Sequence, residues 1–320
     1  MPMQTEPVIP PVTLISGFLG SGKTTLLRRL LSHGDRRLGV IVNEFGALGI
    51  DGTLLEQSGG STLIELSGGC ICCVASSDLL LAIETLLNGD ALDAIAIETS
   101  GLADPGTIAR QVRIANLPLD TLVTLVSAVD YDRAMTASPL TRRQIQLADL
   151  IVLTHSDLAD EATIQHVQAH LRSHNQRAPI VTVVAGELPP DLIFSPRSAS
   201  TLPTVWPHQH SEFQALGWQA VAPLSRTALA QTLRDLAEQG LFRAKGIVFC
   251  TDSPWADEVH LVAGRLQFSA LRLARLPDPL CRMTLIGRGE ALTHVKAALD
   301  ACIDQPERIA DWRRRRADLE

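Results

Sequence analysis

The sequence predicts an α/β fold: a doubly wound, mostly parallel sheet of the P-loop type, followed by a smaller α+β domain. Three observations predict it. Apolar, β-branched runs recur every few tens of residues over roughly residues 8–186, and a helical pattern usually separates them. Residues 187–223 hold six prolines and few periodic apolar positions, which marks a linker. Beyond it, strand-like runs follow one another without room for crossover helices, so they pair antiparallel. The expected partition is therefore a first domain over 1–186, a linker over 187–223 and a second domain over 224–320.

Taken in order, VTLISGF (12–18) is too continuously apolar to be half exposed and reads as the first buried strand. TTLLRRLLSHG (24–34) spaces its leucines helically and closes on glycine, the residue a helix C-terminus favours. GVIVNEF (39–45) and STLIELS (61–67) are the next strands, and SSDLLLAIETLLNG (76–89) is a helix that again ends on glycine. AIAIETS (94–100), TLVTLVSAV (121–129), LIVLTHS (150–156) and PIVTVVA (179–185) complete a sheet whose strands lack polar alternation, as burial on both faces demands. In the second domain SRTALAQTLRDLAEQG (225–240) reads as a helix. KGIVFCT, EVHLVA, LQFSAL and RMTLIG read as strands, and EALTHVKAALDACI as a further helix. The basic run Arg313–Arg316 reads as a solvated helix end.

With 320 residues, 46% of them hydrophobic, the chain can bury a core without disulfide staples. Cys250, Cys281 and Cys302 lie far apart in apolar surroundings, as buried reduced thiols do, and a reducing cytoplasm is the expected compartment. No apolar run reaches the roughly 18–20 residues of a membrane span, and the first residues lack the basic and apolar regions of a leader. A net charge of −7 and a pI near 5.7 argue against nucleic acid as the main partner. Neither a membrane nor a nucleic acid is expected as a partner, and the oligomeric state, homodimer included, is left open.

GFLGSGKTT (17–25) fills the pattern G-x-x-x-x-G-K-[ST] between an expected strand and an expected helix. Glycines there let backbone N–H groups turn inward around a phosphate, and the helix N-terminus adds partial positive charge. Gly17, Gly20, Ser21, Gly22, Lys23, Thr24 and Thr25 form the expected nucleotide cradle. Lys23 would reach the β/γ-phosphates and Thr24 would ligate Mg²⁺. IAIETSG (95–101) places Glu98 and Gly101 at a strand end, where a carboxylate can hold the Mg²⁺ water shell and a glycine N–H can face a γ-phosphate. LIVLTHSD (150–157) carries Thr154 and Asp157; a carboxylate there can accept the N1–H and N2 protons of guanine, which favours GTP. Lys23, Thr24 and Glu98 are the catalytic candidates. No built-in arginine finger is evident, so slow hydrolysis of GTP to GDP and phosphate is expected.

Together these stretches resemble the CobW (cobalamin-synthesis protein) family of metal-trafficking P-loop GTPases, relatives of the nickel-insertion GTPases that serve urease and hydrogenase. GFLGSGKTT is similar to that family's phosphate loop, VNEFG followed by ID (42–51) to its first switch, GGCICC (68–73) to its C-x-C-C signature and ETSG to its magnesium-side motif. THSD stands in the place of its base-recognition motif, and RAKGIVF (243–249) and LIGRG (285–289) are similar to strands of its C-terminal domain. There are two departures. His155 stands where the family has Lys, whose stem would lie along the guanine, and the family's histidine-rich tract shrinks to His208-Gln209-His210. The resemblance implies GTP, Mg²⁺ and a transition metal as ligands, and a metal-receiving client protein as partner.

The thiol chemistry agrees with that resemblance. Thiolates at i, i+2 and i+3 can converge on one soft or borderline cation, so Cys70, Cys72 and Cys73 are expected ligands for Zn²⁺ or Co²⁺. Three thiols leave a position open, which suits a carrier, and Glu44 is the first candidate for a fourth ligand, ahead of Asp51. Glu44 could equally be a catalytic or structural carboxylate. Four other readings compete with a metallochaperone: a static zinc site or redox thiol pair on a P-loop protein, a small-molecule kinase, an iron–sulfur scaffold ATPase, and a non-enzymatic storage protein. His33 reads as a helix-end residue, and His208 and His210 as either linker residues or metal ligands.

Overall fold

A computed structural model describes residues 9–32, 36–42, 61–65, 76–194, 213–271, 276–288 and 292–317. The chain divides into two compact units, Glu6–Ser195 and Pro196–Glu320.

In the first unit seven strands lie in the order β3-β2-β4-β1-β5-β6-β7. Their bounds are β1 Val12–Gly17, β2 Leu38–Val42, β3 Thr62–Glu65, β4 Ala94–Glu98, β5 Leu119–Ser127, β6 Leu150–Thr154 and β7 Ile180–Thr182. Every pairing among them is parallel. Nearly every residue of β1, β2, β4, β5 and β6 is buried, because helices cover both faces. The helices are α1 Lys23–Ser32, α2 Ser76–Leu87, α3 Pro105–Ile114, α4 Tyr131–Ala137, α5 Pro139–Leu147, α6 Glu161–His174 and a short α7 Pro190–Ile193. Helix α1 buries Leu26, Leu27, Leu30 and Leu31, one apolar face at helical spacing. Each such leucine contributes roughly 1.5–3 kcal/mol by leaving water. Helix α3 starts where Asp104 accepts from Gly106 N–H at 2.8 Å and Pro105 presets the first turn.

Both ends of the proline-rich stretch 187–223 are structured, contrary to the expected linker. Leu192, Ile193 and Phe194 are fully buried in the first unit, where the Ile193 carbonyl accepts from Thr13 Oγ1 at 3.3 Å and Asp191 pairs with Arg36. At the other end Phe213–Ala220 is a strand, β8, of the second sheet. Residues 195–212, with His208 and His210, lie outside the described residues, as does His33.

The second unit is a five-stranded antiparallel sheet in the order β11-β10-β9-β12-β8. Its further strands are β9 Leu241–Phe249, β10 Ala256–Val262, β11 Arg265–Leu271 and β12 Cys281–Arg288. Helix α8, Arg226–Glu238, is capped by Ser225 and buries Leu229, Leu233 and Leu236 against a core of Trp218, Phe249, Val259, Met283 and Leu285. Helices α9 Val295–Asp300 and α10 Pro306–Ala317 complete it. Cys250, Cys281 and Cys302 are free, buried thiols here. Burial pushes the Cys250 thiol up to about 12 and Cys281 to about 11, against a weaker pull from Arg226 on the first and the Phe249 N–H on the second.

The basic run is not a uniformly solvated helix end. Trp312 and Arg316, one turn apart, share the buried face of α10. The Arg315 guanidinium donates to Thr251 O at 2.6 Å, and Arg316 donates to Pro254 O at 3.3 Å while lying 5.5 Å over the Trp255 ring. Arg313 and Arg314 are exposed as expected. No helix among the described residues is long and apolar enough to cross a membrane.

Candidate functional site

The site forms where the carboxyl ends of β4, β1, β5 and β6 meet, the crevice in which doubly wound sheets bind ligands. The loop 18–22 joins β1 to α1. Gly17 closes the strand at φ 142°, and a Cβ there would stand 2.4 Å from Leu125 O and 2.6 Å from Ser21 Oγ, so only glycine fits. Gly20 and Gly22 also have positive φ, and the Ser21 N–H returns to Phe18 O at 3.1 Å, which curls the loop. Lys23 opens α1 with its ammonium folded back over the loop, donating to Gly17 O at 3.0 Å and Phe18 O at 3.4 Å. Thr25 is exposed on the first turn of α1.

Strand β4 lies next to β1 with Ile15 opposite Glu98. This register brings Glu98, only 3% exposed, to the start of α1, where Thr24 Oγ1 donates to Glu98 Oε1 at 3.3 Å. A hydroxyl and a carboxylate in contact are hard oxygen donors, the set that suits Mg²⁺. Gly101, just beyond, lets the loop after β4 press on the phosphate loop: a Cβ on it would stand 2.7 Å from Leu19 N. Gln144 of α5 fixes this turn by donating to the carbonyls of Gly101 and Ala103, both at 3.2 Å.

On the other flank Thr154 is the last residue of β6. Its buried hydroxyl lies 2.9 Å from Ser21 O and 3.2 Å from Val126 O, so it braces the phosphate loop from below. His155 takes a left-handed conformation, φ 55°, and turns its Nδ1 to within 3.0 Å of Ser127 Oγ. Ser127 Oγ in turn donates to Asp130 Oδ2 at 3.1 Å, and Asp130 pairs with Arg133 at 2.8 Å. Ser156 Oγ anchors the other side of the turn on Val183 O at 3.1 Å. Asp157 sits on this pinned turn with its carboxylate exposed. After β7, Glu187 meets Arg29 of α1 at 3.0 Å.

Sequence reasoning missed Ser127, Asp130 and Gln144. Their signal was position: each follows or faces the carboxyl end of a strand flanking β1. Glu44, Asp51, Cys70, Cys72 and Cys73 lie outside the described residues. The strands that lead to them are described, however. Val42, the last residue of β2, stands in register between Glu98 of β4 and Glu65 at the end of β3.

Residues 11–182 match the family model described as CobW/HypB/UreG, nucleotide-binding domain, and residues 213–303 match the cobalamin synthesis protein cobW C-terminal domain. Zinc chaperone YjiA of Escherichia coli is 38% identical over 196 residues, 58% of this chain and 60% of that protein. Zinc chaperone YeiR of the same organism is 31% identical over 292 residues, 86% of this chain and 85% of that protein. Zinc-regulated GTPase metalloprotein activator 1 of Schizosaccharomyces pombe is 33% identical over 191 residues, 56% of this chain and 46% of that protein. The alignment thus spans about 60% of the length of the first relative, under half of the third and most of the second. With one model covering more than half of the chain and another most of the rest, the chain belongs to the CobW/HypB/UreG family and carries the CobW C-terminal domain behind its nucleotide-binding domain.

Proposed function

We propose that the chain is a GTP-hydrolysing metallochaperone that loads a transition metal, zinc or cobalt, at Cys70, Cys72 and Cys73 and hands it to a client protein according to nucleotide state. The observation that carries this reading is the convergence at Glu98. Its carboxylate touches Thr24 at the phosphate loop, and its strand neighbour Val42 leads directly into the segment holding Glu44. One strand further out, β3 leads toward the thiols. Family membership and relatives named as zinc chaperones or a zinc-regulated GTPase support the same reading.

In this account the loop from Gly17 to Thr25 cradles the phosphates, with Lys23 neutralising charge on the β/γ-phosphates. Thr24 and Glu98 would hold Mg²⁺, which when bound draws charge from the leaving phosphate. Gly101 would turn its N–H toward the γ-phosphate. Thr154 acts through the loop it braces, and Asp157 reads the guanine edge. Glu44, drawn in by the GTP-bound state, would complete the thiol site that GDP leaves one ligand short. A cytoplasmic setting and an open choice between monomer and homodimer belong to the same proposal.

The test is nucleotide turnover by the purified protein. GTP should be hydrolysed slowly, below about 1 per minute, and in preference to ATP. Lys23→Ala should abolish the activity. Equal handling of ATP and GTP would remove the GTPase assignment and leave only a P-loop nucleotide-binding protein, and transfer of phosphate to a small acceptor would favour a kinase.

A further inference from the structure

Nine histidines occur in the chain, and three of them, His166, His170 and His174, recur at every fourth position of α6. That spacing sets them on one helix face, one turn apart. Across from this face, Asp132 occupies the first turn of α4. His166 Nε2 lies 3.7 Å from Asp132 Oδ1, and the His166 and His170 rings stand 4.2 Å apart, tilted by 48°. The metal-binding atoms of Asp132, His166 and His170 all lie within 4.8 Å of one another, and all three side chains are exposed. The Tyr131 ring lies edge-on to His170, the centroids 6.0 Å apart.

We propose that Asp132, His166 and His170 form a second metal site, independent of the thiol loop, for a borderline divalent cation such as Zn²⁺. Two imidazoles and one carboxylate are ligands such ions accept, and Mg²⁺, which wants oxygen, would find only one. A tetrahedral zinc with bonds of about 2.0–2.2 Å spaces its ligand atoms about 3.4 Å apart. The His166–Asp132 separation is already close to that, and exposed side chains reach the rest by small rotamer changes. An ion pair between His166 and Asp132 would account for two of the residues and give His170 no part. Three protein ligands leave a fourth position to water or an incoming group, so the ion would be exchangeable. Because Asp132 and the histidines come from different helices, the ion would tie α4 to α6.

The experiment uses tag-free, nucleotide-free full-length protein carrying Cys70→Ser, Cys72→Ser and Cys73→Ser, so its outcome does not depend on the thiol site or on GTP. Titration with Zn²⁺ against a chromophoric chelator should show one equivalent bound. Co²⁺ should give a weak visible spectrum without the intense sulfur-to-metal band of a thiolate site. His166→Ala or His170→Ala added to this background should weaken binding by more than about tenfold, with the circular dichroism spectrum unchanged because both side chains are exposed. Asp132→Asn should weaken it too, and His174→Ala should leave it intact. No binding by the thiol-free protein would overturn the proposal. So would binding that survives the His166 and His170 substitutions or follows His208 and His210 instead.

Discussion

Thr24 Oγ1 lies 3.3 Å from Glu98 Oε1, a contact that joins the first turn of α1 to the end of β4 across 74 positions of sequence. Both oxygens are what a phosphate-bound Mg²⁺ seeks. Glu98→Gln keeps the shape and the contact with Thr24 but removes the charge. It should lower Mg²⁺-dependent GTP hydrolysis by at least about tenfold while leaving metal-free nucleotide binding nearly unchanged. Single-turnover hydrolysis over a Mg²⁺ series checks this, and an unaltered Mg²⁺ dependence would remove Glu98 from the site.

The two close approaches around the loop predict backbone effects. A Cβ at Gly17 meets Leu125 O at 2.4 Å, and one at Gly101 meets Leu19 N at 2.7 Å; neither neighbour is a flexible side-chain tip. Gly17→Ala and Gly101→Ala should each destabilise the protein by about 1–3 kcal/mol in urea unfolding and weaken nucleotide binding together with it. Full stability with full binding would show that the loop relaxes freely.

His155 is engaged by Ser127 at 3.0 Å, so replacing it exchanges one interaction for another. A lysine stem along the guanine is worth about 1 kcal/mol of packing, and the lost hydrogen bond about as much. His155→Lys should therefore tighten GTP binding only slightly in the native background and by about fivefold where Ser127→Ala has already removed the bond. A double-mutant cycle on GTP affinity measures the difference, and equal effects in both backgrounds would mean that the His155–Ser127 contact contributes nothing.

The thiols of the second unit give a pH prediction. The folded pKa values of Cys250 and Cys281 lie above their ordinary value, near 12 and 11, chiefly because burial disfavours the thiolate. A raised value means the protonated form is favoured by folding. The stability it contributes is complete below the ordinary pKa of 9 and is lost as pH rises from there through 11 and 12. Thermal unfolding should shift downward above pH 9, less so in Cys281→Ala. At pH 8 a thiol reagent should leave Cys250, Cys281 and Cys302 unlabelled in the native protein and modify them after denaturation; rapid native labelling of these three would contradict their burial.

Much of the first unit was legible because a doubly covered parallel sheet writes its strands as unbroken apolar runs, and because Gly17–Lys23–Thr24 sits between a strand and a helix. Contacts between distant carboxyl ends were not. Nothing in the spacing of Thr154 tells that its hydroxyl meets Ser21 O, 133 residues away. FQALGWQA (213–220) carries no β-branched residue and follows a proline-rich stretch, so β8 stayed hidden although it completes the second sheet. Leu192, Ile193 and Phe194 were masked in the same way by Pro189 and Pro190. The four arginines of 313–316 read as uniformly solvated until helical periodicity is counted from Trp312, which carries Arg316 onto the buried face.

The coupling between nucleotide and metal is the central claim, and the register that sets Val42 beside Glu98 gives it a route. If GTP tightens metal binding, metal must tighten GTP binding by the same factor, and coupling of about 1–3 kcal/mol corresponds to roughly 5- to 150-fold. The decisive measurement is a Zn²⁺ or Co²⁺ competition titration against a chelator, with a Mg²⁺-bound GTP analogue in one arm and Mg²⁺-GDP in the other, using a His166→Ala, His170→Ala background to isolate the thiol loop. Metal affinity should be at least about fivefold higher with the GTP analogue, the increment should shrink in Glu44→Gln, and Cys72→Ser should abolish most binding in both arms. Indistinguishable affinities in the two nucleotide states would contradict the account and leave a GTPase with a static metal site.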